Sequence, residues 1–223
     1  MIRVVCTILA LLAAAPSFAA EMFAGVGAGV TDREPTDDPP FDQLDLDYDS
    51  GTTLTAQLGG RFESGMMLRA DYNYTNHDEF TALGGLLISE DITRRDLRLG
   101  AFAAPQAQGA FGYRLGVGYA RVTESTAQGT FPDRDGYFVE GAAQLDAGQR
   151  VTFDLAAVRI HLSDDQNRNS RGNEFRLAMI FHAGAIDVAL NGLYARTDSS
   201  ENLFYIERLK AVSLSVGGAW GER

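Results

Sequence analysis

Cysteine and long apolar runs are what this chain of 223 residues has least of. Its single cysteine, Cys6, lies in an amino-terminal segment that we expect to be removed, so the mature protein would have no disulfide and no Cys-bound metal. The longest apolar stretch, residues 4–15, is too short for a membrane-spanning helix, which needs about 20 residues. A disulfide scaffold and a helical membrane protein are therefore excluded.

Positive charge is also scarce. The chain has 19 Lys and Arg against 30 Asp and Glu, and its formal net charge is −11. Nucleic-acid binding needs a basic surface, so we expect no nucleic-acid partner. His77, His161 and His182 are isolated, and no His-Glu-x-x-His pattern occurs, so we also expect no cofactor.

The amino-terminal segment has the features of a secretory signal peptide. Arg3 supplies a positive charge, an apolar stretch follows, and Ser17-Phe18-Ala19 fits the small-x-small pattern of a signal peptidase site. We predict cleavage after Ala19, which divides the chain into a signal peptide at 1–19 and one exported domain at 20–223.

The mature chain alternates apolar and polar residues in segment after segment. Between residues 66 and 77, one face carries Met66, Leu68, Ala70, Tyr72 and Tyr74, and the other carries Arg69, Asp71, Asn73, Thr75 and His77. A strand alternates its side chains with period two, so the segment has one apolar and one polar wall. Charges recur on the polar wall of later segments, which favours a closed barrel in lipid with a polar interior.

Ten such segments are joined by connections that alternate between tight turns and long polar loops. Outer-membrane barrels place short turns in the periplasm and long loops outside. We predict an all-β, closed antiparallel transmembrane barrel of ten strands, with eight as the alternative, in the bacterial outer membrane with both termini periplasmic. The predicted strands are 22–31, 52–62, 66–77, 92–103, 109–122, 136–146, 150–163, 172–183, 185–196 and 206–221.

The two terminal strands add a family resemblance. The opening strand Phe23–Val30 is Gly-rich, and the closing strand alternates apolar residues up to Trp220. In these features the chain resembles the small bacterial outer-membrane barrels, a superfamily that includes the OmpA transmembrane domain. The resemblance implies three partners: outer-membrane lipid, lipopolysaccharide, and the barrel assembly machinery, which would read the closing strand. It leaves the oligomeric state open.

The inward faces carry charges of both signs in near balance. In a confined lumen such charges can pair and bridge the walls. Because eight strands just fill with side chains and sixteen leave a channel, ten should be closer to filled. We expect a non-enzymatic barrel that serves envelope integrity, surface interaction or limited small-solute diffusion. The predicted lumen charges are Arg61, Arg69, Asp71, Asp96, Arg98, Arg114, Glu140, Asp154, Arg176 and Asp187.

The first loop is unusually acidic. Asp45, Asp47 and Asp49 stand at alternate positions, as oxygen ligands do in a calcium loop, but Ser50 occupies the place of the tight-turn glycine. Leu44, Leu46 and Tyr48 instead continue the alternation of the second strand. The sequence therefore favours a strand that extends beyond the membrane, and we assign no metal site.

An enzymatic alternative rests on His161 and Ser163, followed by Glu174. A hydroxyl beside an imidazole that a carboxylate orients is the arrangement used for acyl transfer. The His-x-Ser sequence resembles that of the lipid A deacylase barrels, in which the pair faces lipid. Here the pair shares the parity of Val151, Phe153 and Leu155, which would let it face outward in the same way at the outer rim. The apolar parity then switches to Val158, Ile160 and Leu162, which would instead turn the pair toward the lumen or loop region.

A second enzyme family also has ten strands. In the outer-membrane proteases, catalysis resembles activation of a water between an Asp pair and an Asp-x-His pair. This sequence contains no Asp-x-His, which argues against that chemistry.

Overall fold

A computed structural model describes residues 21–37, 45–48, 50–83, 86–105, 109–126, 129–130, 133–164, 169–200 and 205–221. The predicted signal peptide lies outside these residues. Among the described residues, no helix is long and apolar enough to cross a membrane. The strands are β1 Glu21–Asp37, β2 Asp45–Tyr48, β3 Gly51–Arg61, β4 Met66–Leu83, β5 Leu86–Ala103, β6 Phe111–Ser125, β7 Arg134–Asp146, β8 Val151–Ser163, β9 Asn169–Ala183, β10 Ile186–Ser200 and β11 Tyr205–Gly221.

Ten of these strands form a closed antiparallel barrel. Each strand from β3 to β11 pairs with its neighbour in the chain, and β1 pairs with both β3 and β11 to close the ring. In the ring formed by the described strands, closure pairs the edges of the sheet with each other, as a barrel in lipid requires. The prediction of an all-β barrel of ten strands is confirmed.

The short strand β2 lies outside this ring. It pairs with residues 79–82 of β4, whereas β3 pairs with residues 67–76 of the same strand. β2 therefore prolongs β3 toward the loops, as the continued alternation in the first loop predicted.

Several strands run farther toward the loops than predicted. β4 and β5 remain paired as far as Leu83 and Leu86, so the predicted loop 78–91 is mostly hairpin. The reason is that hydrogen bonding between the two strands also satisfies the backbone N–H and C=O groups of this segment, so the acidic residues Asp78, Glu79, Glu90 and Asp91 do not end the strands.

The four tight turns lie at one end of the barrel, called here the turn end; the opposite end is the loop end. Gly65, Gly109, Gly148 and Gly184 each adopt a positive φ, between 72° and 82°, which glycine alone adopts without steric cost. One such glycine in each turn lets the chain reverse within a few residues.

Side chains alternate between the lumen and the outer surface along every barrel strand. On β4, Leu68 is 45% exposed and faces outward, whereas Arg69 is 7% exposed and faces the lumen. The predicted outward and lumen faces of β4 are confirmed. Exposed aromatic residues lie on the outer surface toward both ends: Phe111, Tyr113 and Trp220 at the turn end, and Tyr137, Phe175 and Tyr194 at the loop end.

Candidate functional site

The lumen has two unlike halves. Strands β4 to β9 direct large charged and apolar side chains inward, whereas β10, β11, β1 and β3 contribute mostly small ones. This asymmetry follows directly from which residue types occupy the inward positions. It leaves one half filled and the other half open.

Glu140 on β7 is the centre of the filled half. Its carboxylate accepts two hydrogen bonds from Arg69 on β4, at 3.0 and 2.5 Å, and one from Arg114 on β6, at 2.9 Å. Arg176 on β9 lies 3.7 Å away. Glu140 is 1% exposed, so this carboxylate is held in the interior by three surrounding guanidinium groups.

A second carboxylate extends the network across the lumen. Glu174 on β9 accepts hydrogen bonds from Nη1 and Nη2 of Arg98 on β5, at 2.7 and 2.5 Å, and from Arg176 at 2.9 Å. Such bidentate pairs are among the strongest hydrogen bonds in proteins. Because Arg176 contacts both glutamates, Glu140 and Glu174 belong to one network.

Two aspartates complete this network at its margins. Asp71 accepts from Arg69 Nε at 2.8 Å and from Gln57 at 3.0 Å. Asp154 accepts from both terminal nitrogens of Arg114, at 2.5 and 3.1 Å. The structure thus brings together seven of the ten predicted lumen charges and adds Glu174, which sequence reasoning had assigned to the acyl-transfer alternative.

An apolar cluster also faces the lumen, which the sequence analysis did not anticipate. The rings of Phe102 and Phe138 lie over the inward faces of Gly116 and Gly118, where a Cβ atom would come within 2.2 to 2.6 Å of a ring carbon. The Arg69 guanidinium stacks on Phe102, 4.5 Å from the ring centroid. The cluster contains Met67, Phe102, Ala104, Ala120, Val122, Phe138, Val158, Ile160 and Leu162.

Another ion cluster crosses the lumen at the loop end. Arg33 on β1 reaches Glu124 on β6 at 3.7 Å, and Arg134 on β7 donates to the same carboxylate at 2.6 Å. Arg94 lies 3.7 Å from Glu124 and donates to Asp96, a predicted lumen charge, at 3.1 Å. Of these five, only Asp96 was among the predicted lumen charges, because Arg33, Glu124 and Arg134 fall in segments that were predicted to be loops.

The turn end holds a hydrogen-bonded series of polar side chains. Thr152 Oγ1 lies 2.6 Å from Asp146 and 2.9 Å from His182 Nε2, and His182 Nδ1 lies 2.7 Å from Asp187. The Thr152 hydroxyl donates to Asp146, and the His182 ring joins that hydroxyl to the Asp187 carboxylate. Asp146, Thr152, His182 and Asp187 all occupy inward positions in the alternation of β7 to β10, so this series could have been predicted from the sequence. Arg61, the remaining predicted lumen charge, is 3.9 Å from Glu21.

A cavity of about 630 Å³ occupies the open half of the lumen. Its lining extends from Arg61 and His182 at the turn end to Thr31 and Thr197 toward the loop end. Arg98, Arg114 and Arg176 form part of one side of the cavity. The other side is lined by small residues, among them Gly25, Thr53, Thr55, Asn191, Ser213 and Ser215.

The candidate acyl-transfer residues do not come together. On β8, Val158, Ile160 and Leu162 are buried in the lumen, so His161 and Ser163 point outward; the predicted turn of this pair toward the lumen is wrong. The His161 ring lies 5.3 Å from that of Tyr137 on the outer surface. Glu174 faces the lumen, where Arg98 binds it, so it is on the opposite side of the barrel wall from His161.

The acidic first loop carries no described metal site. Asp45 and Asp47 lie in β2, for which the structure describes the backbone pairing, and Asp49 lies outside the described residues. Within the described part of the chain, no group of three or more potential ligand side chains could hold a metal ion.

Comparison with solved structures identifies the fold. No protein-family model and no curated protein matches the chain. The outer-membrane protease OmpT from Escherichia coli matches with 10% identity and a TM-score of 0.50, over 90% of this chain and 97% of that chain. The outer-membrane protein OprG from Pseudomonas aeruginosa matches with 12% identity and a TM-score of 0.48, over 92% and 97% of the two chains. The chain thus has the fold of the small bacterial outer-membrane β-barrels.

Proposed function

We propose that this protein is a non-enzymatic outer-membrane barrel that lets small polar solutes diffuse along one wall of its lumen. The single observation that carries the proposal is the cavity between the charge network and the small inward residues of β10, β11, β1 and β3. A barrel that served only to strengthen the envelope would not need these inward positions to stay small.

The cavity lining favours polar solutes of either charge sign. Arg98, Arg114 and Arg176 face it, but carboxylates already bind each of them. Hydroxyl and amide groups of the opposite wall offer further hydrogen bonds. We therefore expect weak ion selectivity and a low conductance, since the filled half leaves little cross-section for water.

The barrel should first be located in the cell. The mature protein should fractionate with outer membranes, resist alkaline extraction, and migrate differently on gels before and after heating. Recovery as a soluble periplasmic protein would contradict the proposed location.

Single-channel recording in planar bilayers tests diffusion. The purified barrel should conduct in small steps, and Thr55→Trp, which places a large ring in the cavity, should reduce them. Leu54→Trp is the matched control, because Leu54 is the neighbouring residue and faces outward. Absence of steps from the folded wild type, or an equal effect of both variants, would argue against a path along this wall.

A further inference from the structure

A cluster of uncharged polar side chains lies in the open half of the lumen, on the wall opposite the charge network. It consists of Thr55 on β3, Asn191 on β10, and Ser213 and Ser215 on β11, and all four line the cavity. This group is called here the neutral cluster. Within the described part of the chain, no hydrogen bond joins it to the charge network, so its polar groups are not needed to hold that network together.

Strand register brings the neutral cluster together across β1. Gly27 on β1 is opposite Ser215 on one side and Thr55 on the other. A Cβ atom at Gly27 would lie 2.7 Å from Thr55 Oγ1 and 2.8 Å from Ser215 Cβ, so these two side chains meet over the glycine. Asn191 is opposite Ser213 on the next pair of strands. Hydroxyl and amide groups from three strands therefore face one part of the cavity.

Hydrogen bonds fix the orientation of the Asn191 side chain. Its amide nitrogen donates to Ser215 Oγ at 2.9 Å and lies 3.3 and 3.4 Å from the backbone oxygens of Ala189 and Ser213. All three partners are acceptors, so the nitrogen faces the wall and the amide oxygen is left as an acceptor for a ligand. Ser215 accepts through its oxygen and keeps its own hydrogen to donate. One acceptor and one donor therefore stand side by side.

The other two hydroxyl groups of the cluster lack partners. Ser213 is only 8% exposed, and neither its hydroxyl nor that of Thr55 forms a hydrogen bond with any residue that the structure describes. A buried hydroxyl without a hydrogen bond is energetically costly. A solute in the cavity that both donates and accepts hydrogen bonds would satisfy these groups.

We propose that the neutral cluster binds an uncharged solute with adjacent hydroxyl groups, of the size of a monosaccharide. A hydroxyl both donates and accepts, so it matches the donor and acceptor that Ser215 and Asn191 present together. The cluster carries no charge and cannot compensate the lost hydration of an ion. The cavity of about 630 Å³ is as large as typical ligand pockets, which measure about 300–1,000 Å³. This inference rests on the proposed function, because it names a class of solute for the same cavity.

The test is an NMR titration of the purified barrel with glucose, in a detergent that has no sugar headgroup. Glucosamine and glucuronate have a similar ring and carry a positive and a negative charge, respectively. Wild type should bind glucose more tightly than either charged sugar. Absence of glucose binding, or equal or tighter binding of a charged sugar, would overturn the proposal without requiring any variant to fold.

Two variants test the residues. Ser215→Ala and Asn191→Leu remove hydrogen-bonding groups without narrowing the cavity, and each should weaken glucose binding about fivefold, the loss expected for one hydrogen bond. Thr197→Val is the matched control, because it removes a hydroxyl that lines the same cavity on β10 but lies nearer the loop end, outside the cluster. It should leave the affinity unchanged. Equal weakening by Ser215→Ala and Thr197→Val would overturn the assignment to the neutral cluster.

Single-channel recording separates this inference from the proposed function. Glucose should block the wild-type current transiently, and Ser215→Ala should shorten the blocks while the size of the conductance steps stays the same. A barrel that conducts but neither binds glucose nor is blocked by it would refute the sugar site and leave diffusion standing. A barrel that binds glucose but does not conduct would refute diffusion and leave the site standing.

Discussion

Arg69 and Glu140 join two walls of the barrel that are far apart in sequence. The guanidinium and the carboxylate form two hydrogen bonds, at 3.0 and 2.5 Å, between residues separated by 71 positions. Both side chains are almost fully buried. The pair therefore fixes the distance between β4 and β7 across the lumen, and the rest of the network is arranged around it.

Glu140→Gln should destabilise the barrel strongly. Removing one partner of a buried ion pair typically costs about 3–5 kcal/mol, because the surviving charges lose their counterion. Three arginines face Glu140, so the cost should fall in this range. Denaturant unfolding in lipid vesicles measures it.

Asp198→Asn is the control for Glu140→Gln. Asp198 pairs with Arg196 on the exposed outer surface, where an ion pair contributes about 0–1 kcal/mol. Equal losses of stability in the two variants would mean that the lumen network does not hold the walls together.

A second prediction distinguishes the two faces of the wall. Leu99 faces outward between the aromatic ends of the barrel, so Leu99→Arg should lower the free energy of unfolding by about 2–4 kcal/mol if it lies near the membrane midplane. Thr55→Arg points into the cavity and should cost much less. The same unfolding assay compares them, and similar costs would contradict the assignment of the faces.

The barrel could be predicted from sequence because its signal is local. Alternation with period two is visible within any one strand, as in residues 66–77, and each tight turn shows its glycine. The loop-end extensions of β4 and β5 were missed because the acidic residues Asp78, Glu79, Glu90 and Asp91 suggest a loop. The apolar residues between them, among them Phe80, Leu83 and Ile88, were the signal that the strands continue.

For the lumen site, the sequence predicts which charged residues face inward but not which of them bind each other. The inward charges can be identified in the sequence, but the bonds between Arg98 and Glu174, 76 positions apart, depend on which strands face each other across the barrel. Val158 was expected to face outward, because apolar residues of a membrane barrel usually do. Its inward position therefore looked like a shift of the alternation by one residue. The structure explains this inward position, because Val158 packs in an apolar cluster with Phe102 and Phe138 inside the lumen.

A third prediction concerns the loop-end ion cluster. Arg33 on β1 reaches across the lumen to Glu124, next to the end of the cavity. Arg33→Ser should remove this crossing and raise the single-channel conductance. Arg196→Ser is a control, because it removes a loop-end arginine from the outer surface instead. An unchanged conductance in Arg33→Ser would show that the crossing does not limit the path.

The last prediction addresses acyl transfer. Expression of the wild type should leave the mass spectrum of lipid A unchanged, and Ser163→Ala should alter neither that spectrum nor barrel assembly. The reason is that a nucleophile needs a base and an orienting carboxylate, whereas Glu174 faces the lumen and binds Arg98. His161 instead lies beside Tyr137 on the outer surface. If wild-type expression produced a lipid A species that lacks an acyl chain, and Ser163→Ala abolished it, the barrel would have to be reassigned as a hydrolase that uses another group to orient His161.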